Sequence, residues 1–133
     1  MPVIFIGCVK SKRRGTYQAK DLYISPLFRY SYRLAVRSGG DIFILSAKYG
    51  LVRPEAVICS YEETLVGKTS QVKQEWARKV LGQMRAERIV GSPAVWLCGK
   101  NYYENLIGYF PESKIPLKGL SMGNRLKWMK ERV

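Results

Sequence analysis

The sequence predicts a three-layer α/β fold, with a mostly parallel sheet of about four strands and helices on both faces. Two observations carry this: short, continuous apolar runs that suit strands buried on both faces, and amphipathic helical stretches that alternate with them along the chain. A length of 133 residues, 47% of them hydrophobic, supplies one core, so residues 1–133 are expected to form a single α/β domain.

Val3 to Gly7 reads as the first buried strand, followed by the basic loop Lys10-Ser11-Lys12-Arg13-Arg14-Gly15. Ser25-Pro26 supplies an N-cap with proline at the first helical position. That helix runs to about Arg37, where Gly39-Gly40 stop it. Ile42 to Leu45 is a second buried strand, ending at Ser46. Residues 47–70, with Gly50, Pro54 and Gly67, read as an irregular loop with room for one short helical turn. Ser70 can cap a helix in which Val72, Trp76, Val80 and Met84 form one apolar stripe. Ala94 to Gly99 is the third buried strand, and Asn101 to Tyr109 reads as a helix closed by Pro111. Lys114 to Leu117 is a short edge strand, placed there by its proline. Met122, Leu126, Met129 and Val133 mark the last helix.

In parallel sheets ligands bind beyond the carboxyl ends of the strands. That edge should collect Gly7-Cys8 and the basic loop, Ser46-Ala47-Lys48, Cys98-Gly99-Lys100-Asn101 and Lys118-Gly119. Cys8 and Cys98 are expected to end adjacent strands as buried thiols.

Twenty-three Lys and Arg against ten Asp and Glu give a formal charge of +13. Such a field attracts polyanions, and phosphate neutralisation with counterion release is its usual use. No run approaches the ~20 apolar residues of a membrane span, and Val3 to Ile6 lacks the flanks of a signal peptide. A cytoplasmic protein with no membrane partner is therefore expected. Three cysteines without a CxxC pair, and no histidine, argue against zinc. No metal or other cofactor is expected, and any general base must be a carboxylate, Lys, Cys or Tyr. Neither GxxxxGK[ST] nor GxGxxG occurs, which removes the main support for triphosphate hydrolysis or dinucleotide binding.

Four cations in Lys10 to Arg14 suit a phosphate-gripping loop, although a solvated charge run has the same composition. Ser46 to Pro54 leaves a buried strand carrying a hydroxyl, an ammonium and a phenol. Ser46 there suits a phosphate or base edge, Lys48 a phosphate, and Tyr49 a stacked base. Aromatics interleaved with cations suit unstacked bases better than closed duplex. The carboxylates near these segments are Asp21, Glu62 and Glu63, for each of which an ion-pair role ranks ahead of acid-base chemistry.

Three segments resemble a group of short, largely uncharacterised prokaryotic and phage proteins: Gly7-Cys8-x-Lys10-Ser11-Lys12, Ala19-Lys20-Asp21-Leu22-Tyr23-x-Ser25-Pro26-Leu27-Phe28, and Ile44-Leu45-Ser46-Ala47-Lys48-Tyr49-Gly50-Leu51-Val52-x-Pro54. Tyr61-x-x-Thr64-Leu65 and Pro116-Leu117-x-Gly119-Leu120-x-x-Gly123-x-x-Leu126-x-Trp128 extend the likeness over nearly the whole chain. The central block is similar, more distantly, to the YaaA peroxide-stress family. Ser46, Tyr49, Gly50, Arg53, Pro54 and Tyr61 coincide with it, and Ser60 stands where that family has proline. The resemblance implies a DNA-related role, since that family binds DNA and is linked to its protection. Val95 to Lys100 and the order of elements bear a weaker likeness to the uracil-DNA glycosylase superfamily. The first loop lacks that superfamily's Asp-Pro-Tyr water-activating motif, and no histidine can build its His-Pro-Ser motif. A base-excising enzyme with different catalytic residues is what this likeness implies.

The resulting expectation is a nucleic-acid-directed protein, DNA ahead of RNA, that accommodates a nucleobase from a single strand or a flipped position. Its enzymatic form is glycosylase-like N-glycosidic bond chemistry, excision or exchange. This form needs a held base and an anion beside the developing positive sugar. Asp21 is the first candidate for that anion and Glu62 the second. Tyr23 or Tyr49 would stack, and Ser46 and Asn101 would read the base. Lys10, Lys12, Arg13, Arg14, Lys20, Lys48, Lys100 and Lys118 would hold phosphates. Asp21 is expected to lie among Lys12, Lys20 and Lys48, in one pocket with Tyr23 and the Ser46 to Pro54 segment. The alternatives are a non-catalytic DNA- or RNA-binding module and a nucleotide or small-molecule transferase.

Overall fold

A strand of four consecutive apolar residues needs cover on both faces. In the computed structural model, which describes residues 2–7 and 11–133, β1 (Val3–Ile6) has it: all four residues are at most 3% exposed. The elements that follow are β2 (Thr16–Gln18), α1 (Ala19–Leu22), α2 (Pro26–Ser38), β3 (Asp41–Ser46), β4 (Gly50–Val52) and β5 (Val57–Cys59). The second half contains α3 (Ser70–Ala86), β6 (Ala94–Leu97), α4 (Lys100–Tyr103), a 3₁₀ turn at Ile107–Tyr109, β7 (Ser113–Lys114) and α5 (Met122–Lys130).

The main sheet has the order β4-β3-β1-β6-β7. β3, β1, β6 and β7 run parallel, and β4 turns back antiparallel beside β3. The chain moves outward from β1 to β3 through α2, then crosses back over β1 to β6 through α3. With right-handed crossovers, that reversal places α2 and α3 on opposite faces. α5 packs on α2 and α4 on α3, which completes the three layers. The predicted α/β class is thus the observed one. Inside, Phe5 stacks on Trp96 at 4.3 Å, and Phe110 meets both rings edge-on at 5.4 Å.

Helix ends follow local chemistry. The Ser25 hydroxyl accepts from the Phe28 N–H at 3.1 Å, with Pro26 behind it. Gly39 closes α2 in the left-handed region at φ 73°, a conformation glycine adopts without steric cost. Thr69 caps α3 by accepting from Val72 N–H, and Ser70, expected as the cap, is the first helical residue.

Three departures bear on function. The 47–70 segment is not an irregular loop throughout. It contains β4 and then β5, which pairs antiparallel with β2 in a separate two-stranded ribbon. The basic loop likewise leads into β2 and α1. The expected 101–109 helix is interrupted, ending at Tyr103 and resuming as a single 3₁₀ turn. The fourth parallel strand is only Ser113–Lys114, at the edge as expected. It stops before Pro116, which has no N–H to donate. Among the described residues, no helix is long and apolar enough to cross a membrane.

Candidate functional site

β1, β3 and β6 end in register, with Ile6 beside Ile44 on one side and Leu97 on the other. Gly7, Ser46 and Cys98 therefore reach one edge, and the crevice between β1 and β6 is the topological switch point at which such sheets bind ligands. Gly7 donates its N–H to Leu97 O at 3.0 Å. A Cβ there would lie 2.5 Å from Cys98 Cβ and 3.6 Å from the Tyr102 ring, so only glycine lets the two strand ends approach this closely. Cys98 is 2% exposed. Its expected neighbour Cys8 lies outside the described residues, as does Lys10.

A buried hydroxyl network occupies this edge. Ser46 is fully buried, and its Oγ accepts from the N–H groups of Lys48 at 3.2 Å and Tyr49 at 3.0 Å. The Tyr23 and Tyr61 hydroxyls pair at 2.8 Å. Burial pushes both phenols above the ordinary tyrosine value, Tyr23 the further, and their hydrogen bonds to Ser46 oppose that rise. Trp76, from the apolar stripe of α3, donates Nε1–H to Ser46 O at 2.8 Å and meets the Tyr102 ring edge-on at 5.5 Å. Burial raises Tyr102 as well, against hydrogen bonds to Leu65 backbone and Thr64.

Lys12 covers this network. Its backbone bridges to Tyr23, and its Nζ sits 4.4 Å above the Tyr61 ring. Desolvation lowers its pKa from the ordinary lysine value, while the charges of Glu62 and Glu63 pull the other way. Tyr49 flanks the corner, with its ring edge-on to Tyr61 at 5.6 Å and its hydroxyl exchanging hydrogen bonds with the Cys59 backbone. Lys48 Nζ lies 5.4 Å from the Tyr49 ring.

Two site expectations are corrected. Tyr23 is 1% exposed and Ser46 0%, so Tyr23 offers no open ring face on which a base could stack and Ser46 no exposed hydroxyl. Both hold the edge together from inside. Asp21 was expected among Lys12, Lys20 and Lys48, in a pocket with Tyr23 and the Ser46 to Pro54 segment. It lies instead on a cleft of about 330 Å³ between α1 and α2, walled by Arg13, Lys20, Arg29, Arg33 and Tyr32, with Tyr23 and Phe28 at its floor. Of the expected neighbours Lys20 and Tyr23 are there, whereas Lys12, Lys48 and Ser46 are not, because α1 turns the chain toward α2 immediately after Gln18. Asn101 is engaged by α3, its Oδ1 accepting from Lys73 Nζ at 3.0 Å. Arg14, Lys48, Lys100, Lys118 and Glu62 are exposed.

Sequence reasoning passed over Arg29 and Arg33. Their four-residue spacing on α2, opposite the buried Leu27, Ser31 and Ala35, was the available signal. Trp76 was read as part of a packing stripe, and only the fold reveals its bond to Ser46.

The chain belongs to the family of unknown function DUF6884, whose model matches residues 3–131. No curated protein and no solved structure matches it significantly.

Proposed function

We propose that this protein is nucleic-acid-directed, binding a DNA or RNA strand across the carboxyl edge of its sheet and presenting a nucleobase to the corner formed by Lys12, Tyr49 and Glu62. One observation carries this reading. Arg13, Arg14, Lys20, Lys48, Lys100 and Lys118, which lie on or near that edge, form no ion pair among the described residues. A protein of +13 charge that leaves these cations without acidic partners accumulates self-repulsion, which phosphates relieve. The exposed thiol of Cys59 suits a reducing compartment such as the cytoplasm.

In its enzymatic form the reading is N-glycosidic bond chemistry, in keeping with the glycosylase likeness of the third strand. Glu62, whose charge acts on Lys12, is the better placed anion, and Tyr49 the aromatic that remains partly exposed. The burial of Tyr23 and Ser46 favours the second reading, a module that binds without cleaving, because two groups assigned to the base are withdrawn from it. Incubation with oligonucleotides bearing uracil or modified bases separates the two. Released base detected by mass spectrometry, and lost in Glu62→Gln, supports the enzyme. Salt-dependent binding without release supports the module, and no binding at low salt refutes both.

A further inference from the structure

We infer that the cleft between α1 and α2, which adjoins the carboxyl edge of the sheet through Arg13, Lys20 and Tyr23, is an anion site in its own right, built to take the phosphate of a nucleotide with an aromatic wall beside it. Four cations, Arg13, Lys20, Arg29 and Arg33, line it against one carboxylate, Asp21, leaving a formal +3 in about 330 Å³. None of the five forms an ion pair among the described residues. Like charges gathered in a concavity repel one another, and Asp21 neutralises only a quarter of the positive charge. A dianionic phosphate would neutralise most of the rest.

The donors are partly prearranged. Arg13 gives its Nε–H to Asp21 O at 3.1 Å, and its backbone N–H to Leu22 O at 2.8 Å, which fixes the fork and leaves both Nη groups for a ligand. Arg29 and Arg33 stand one helical turn apart, about 6 Å along α2, so two planar forks can converge on one phosphate. Phe28 is buried and stacks against Tyr32 with centroids 6.3 Å apart and planes 6° from parallel. Tyr32 is thereby a backed aromatic on the cleft wall, suited to a base or sugar face. The volume falls at the small end of ligand pockets, which fits one nucleotide unit.

In this arrangement Asp21 is a placeholder: it tempers the cations while the cleft is empty and opposes the phosphate when it fills. The inference rests on the nucleic-acid reading only for the source of the phosphate, which is either a free mononucleotide or one unit of a strand. Calorimetric titration with thymidine 5′-monophosphate and with a short oligo(dT) distinguishes them. Arg29 and Arg33 are exposed, so R29A/R33A should fold as the parent does. This variant should bind the occupant at least tenfold more weakly, and R29K/R33K should recover only part of the loss. Asp21→Asn should bind severalfold more tightly. Binding of the mononucleotide itself indicates a free nucleotide, whereas binding confined to oligo(dT) indicates a strand, and either supports the site. Mononucleotide binding without any oligo(dT) binding leaves the cleft standing and removes the strand-binding proposal. If R29A/R33A binds like the parent, or Asp21→Asn binds more weakly, the cleft is not a phosphate site.

Discussion

Residue type alone does not say whether a tyrosine is a tool or a strut. Tyr23, Tyr49, Tyr61 and Tyr102 all belong to the aromatics interleaved with cations along the sequence, the setting that suits base stacking, yet Tyr23, Tyr61 and Tyr102 are at most 7% exposed. Which way each ring turns depends on partners distant in sequence, such as Trp76 for Tyr102 and Ser46 for the Tyr23–Tyr61 pair. Such burial has a measurable consequence. These phenols have raised pKa values, so they stay neutral in the folded protein at a pH where they ionise in the unfolded chain. Their contribution is complete below about pH 10 and is lost as pH rises above it, each phenol removing at most about 1.4 kcal/mol per pH unit. Urea titrations between pH 9 and 11 should show this decline, and Tyr61→Phe should shallow it by roughly one phenol's share. An unchanged slope in Tyr61→Phe would mean that Tyr61 is solvated. At neutral pH, Ser46→Ala should cost about 1–3 kcal/mol, since it strips a partner from buried hydroxyls. A loss below about 0.5 kcal/mol would show that water replaces it.

Elements with their own apolar signature were legible, and those defined only by pairing were not. β1, β3 and β6 announce themselves as buried runs, and α2 by its Ser25-Pro26 start and glycine stop. β2 is exposed at all three positions, and β5 at two of its three. Their existence depends on hydrogen bonds to each other across some forty residues, which no local pattern encodes. The same holds for the α1–α2 cleft: its cations come from separate segments, and only the fold makes them neighbours. Caps are legible to within a residue, Ser25 at its expected place and the α3 cap one residue before the expected Ser70, and the latter can be tested. Thr69→Ala should destabilise the protein by about 1 kcal/mol in denaturant melts, whereas Ser70→Ala should change little. The reverse order would restore Ser70 as the cap. Gly7→Ala should cost about 1–3 kcal/mol through overpacking against Cys98, with a lower melting temperature as the readout.

At the scale of the molecule, charge outweighs any single pairing. The fold commits few of its cations to ion pairs: among the described residues, Arg53 bridges Asp41 and Glu87, each at 2.8 Å, Lys73 reaches Glu104 at 3.7 Å, and Arg132 reaches its neighbour Glu131 at 3.9 Å. These pairs lie away from Arg13 and Arg14 in sequence, and both of those residues are exposed. If the first basic loop grips phosphates, each cation removed should lower the number of counterions released, and log K should fall less steeply with log salt. Replacing Lys12, Arg13 and Arg14 together by Ala should flatten that slope by up to about three, at roughly 0.9 for each phosphate no longer neutralised on duplex and 0.7 on single strand. Affinity should drop alike for all sequences, because phosphate binding carries no base information. Lys12 also covers the Tyr23–Tyr61 pair, so an Arg13→Ala/Arg14→Ala variant separates binding from stability: it should keep the parental melting temperature and still flatten the slope by up to about two. Fluorescence anisotropy across a range of salt concentrations reads the slope, and a thermal melt reads the stability. A slope unchanged in the double variant would place the strand elsewhere, and a slope flattened only with a falling melting temperature would make the effect structural.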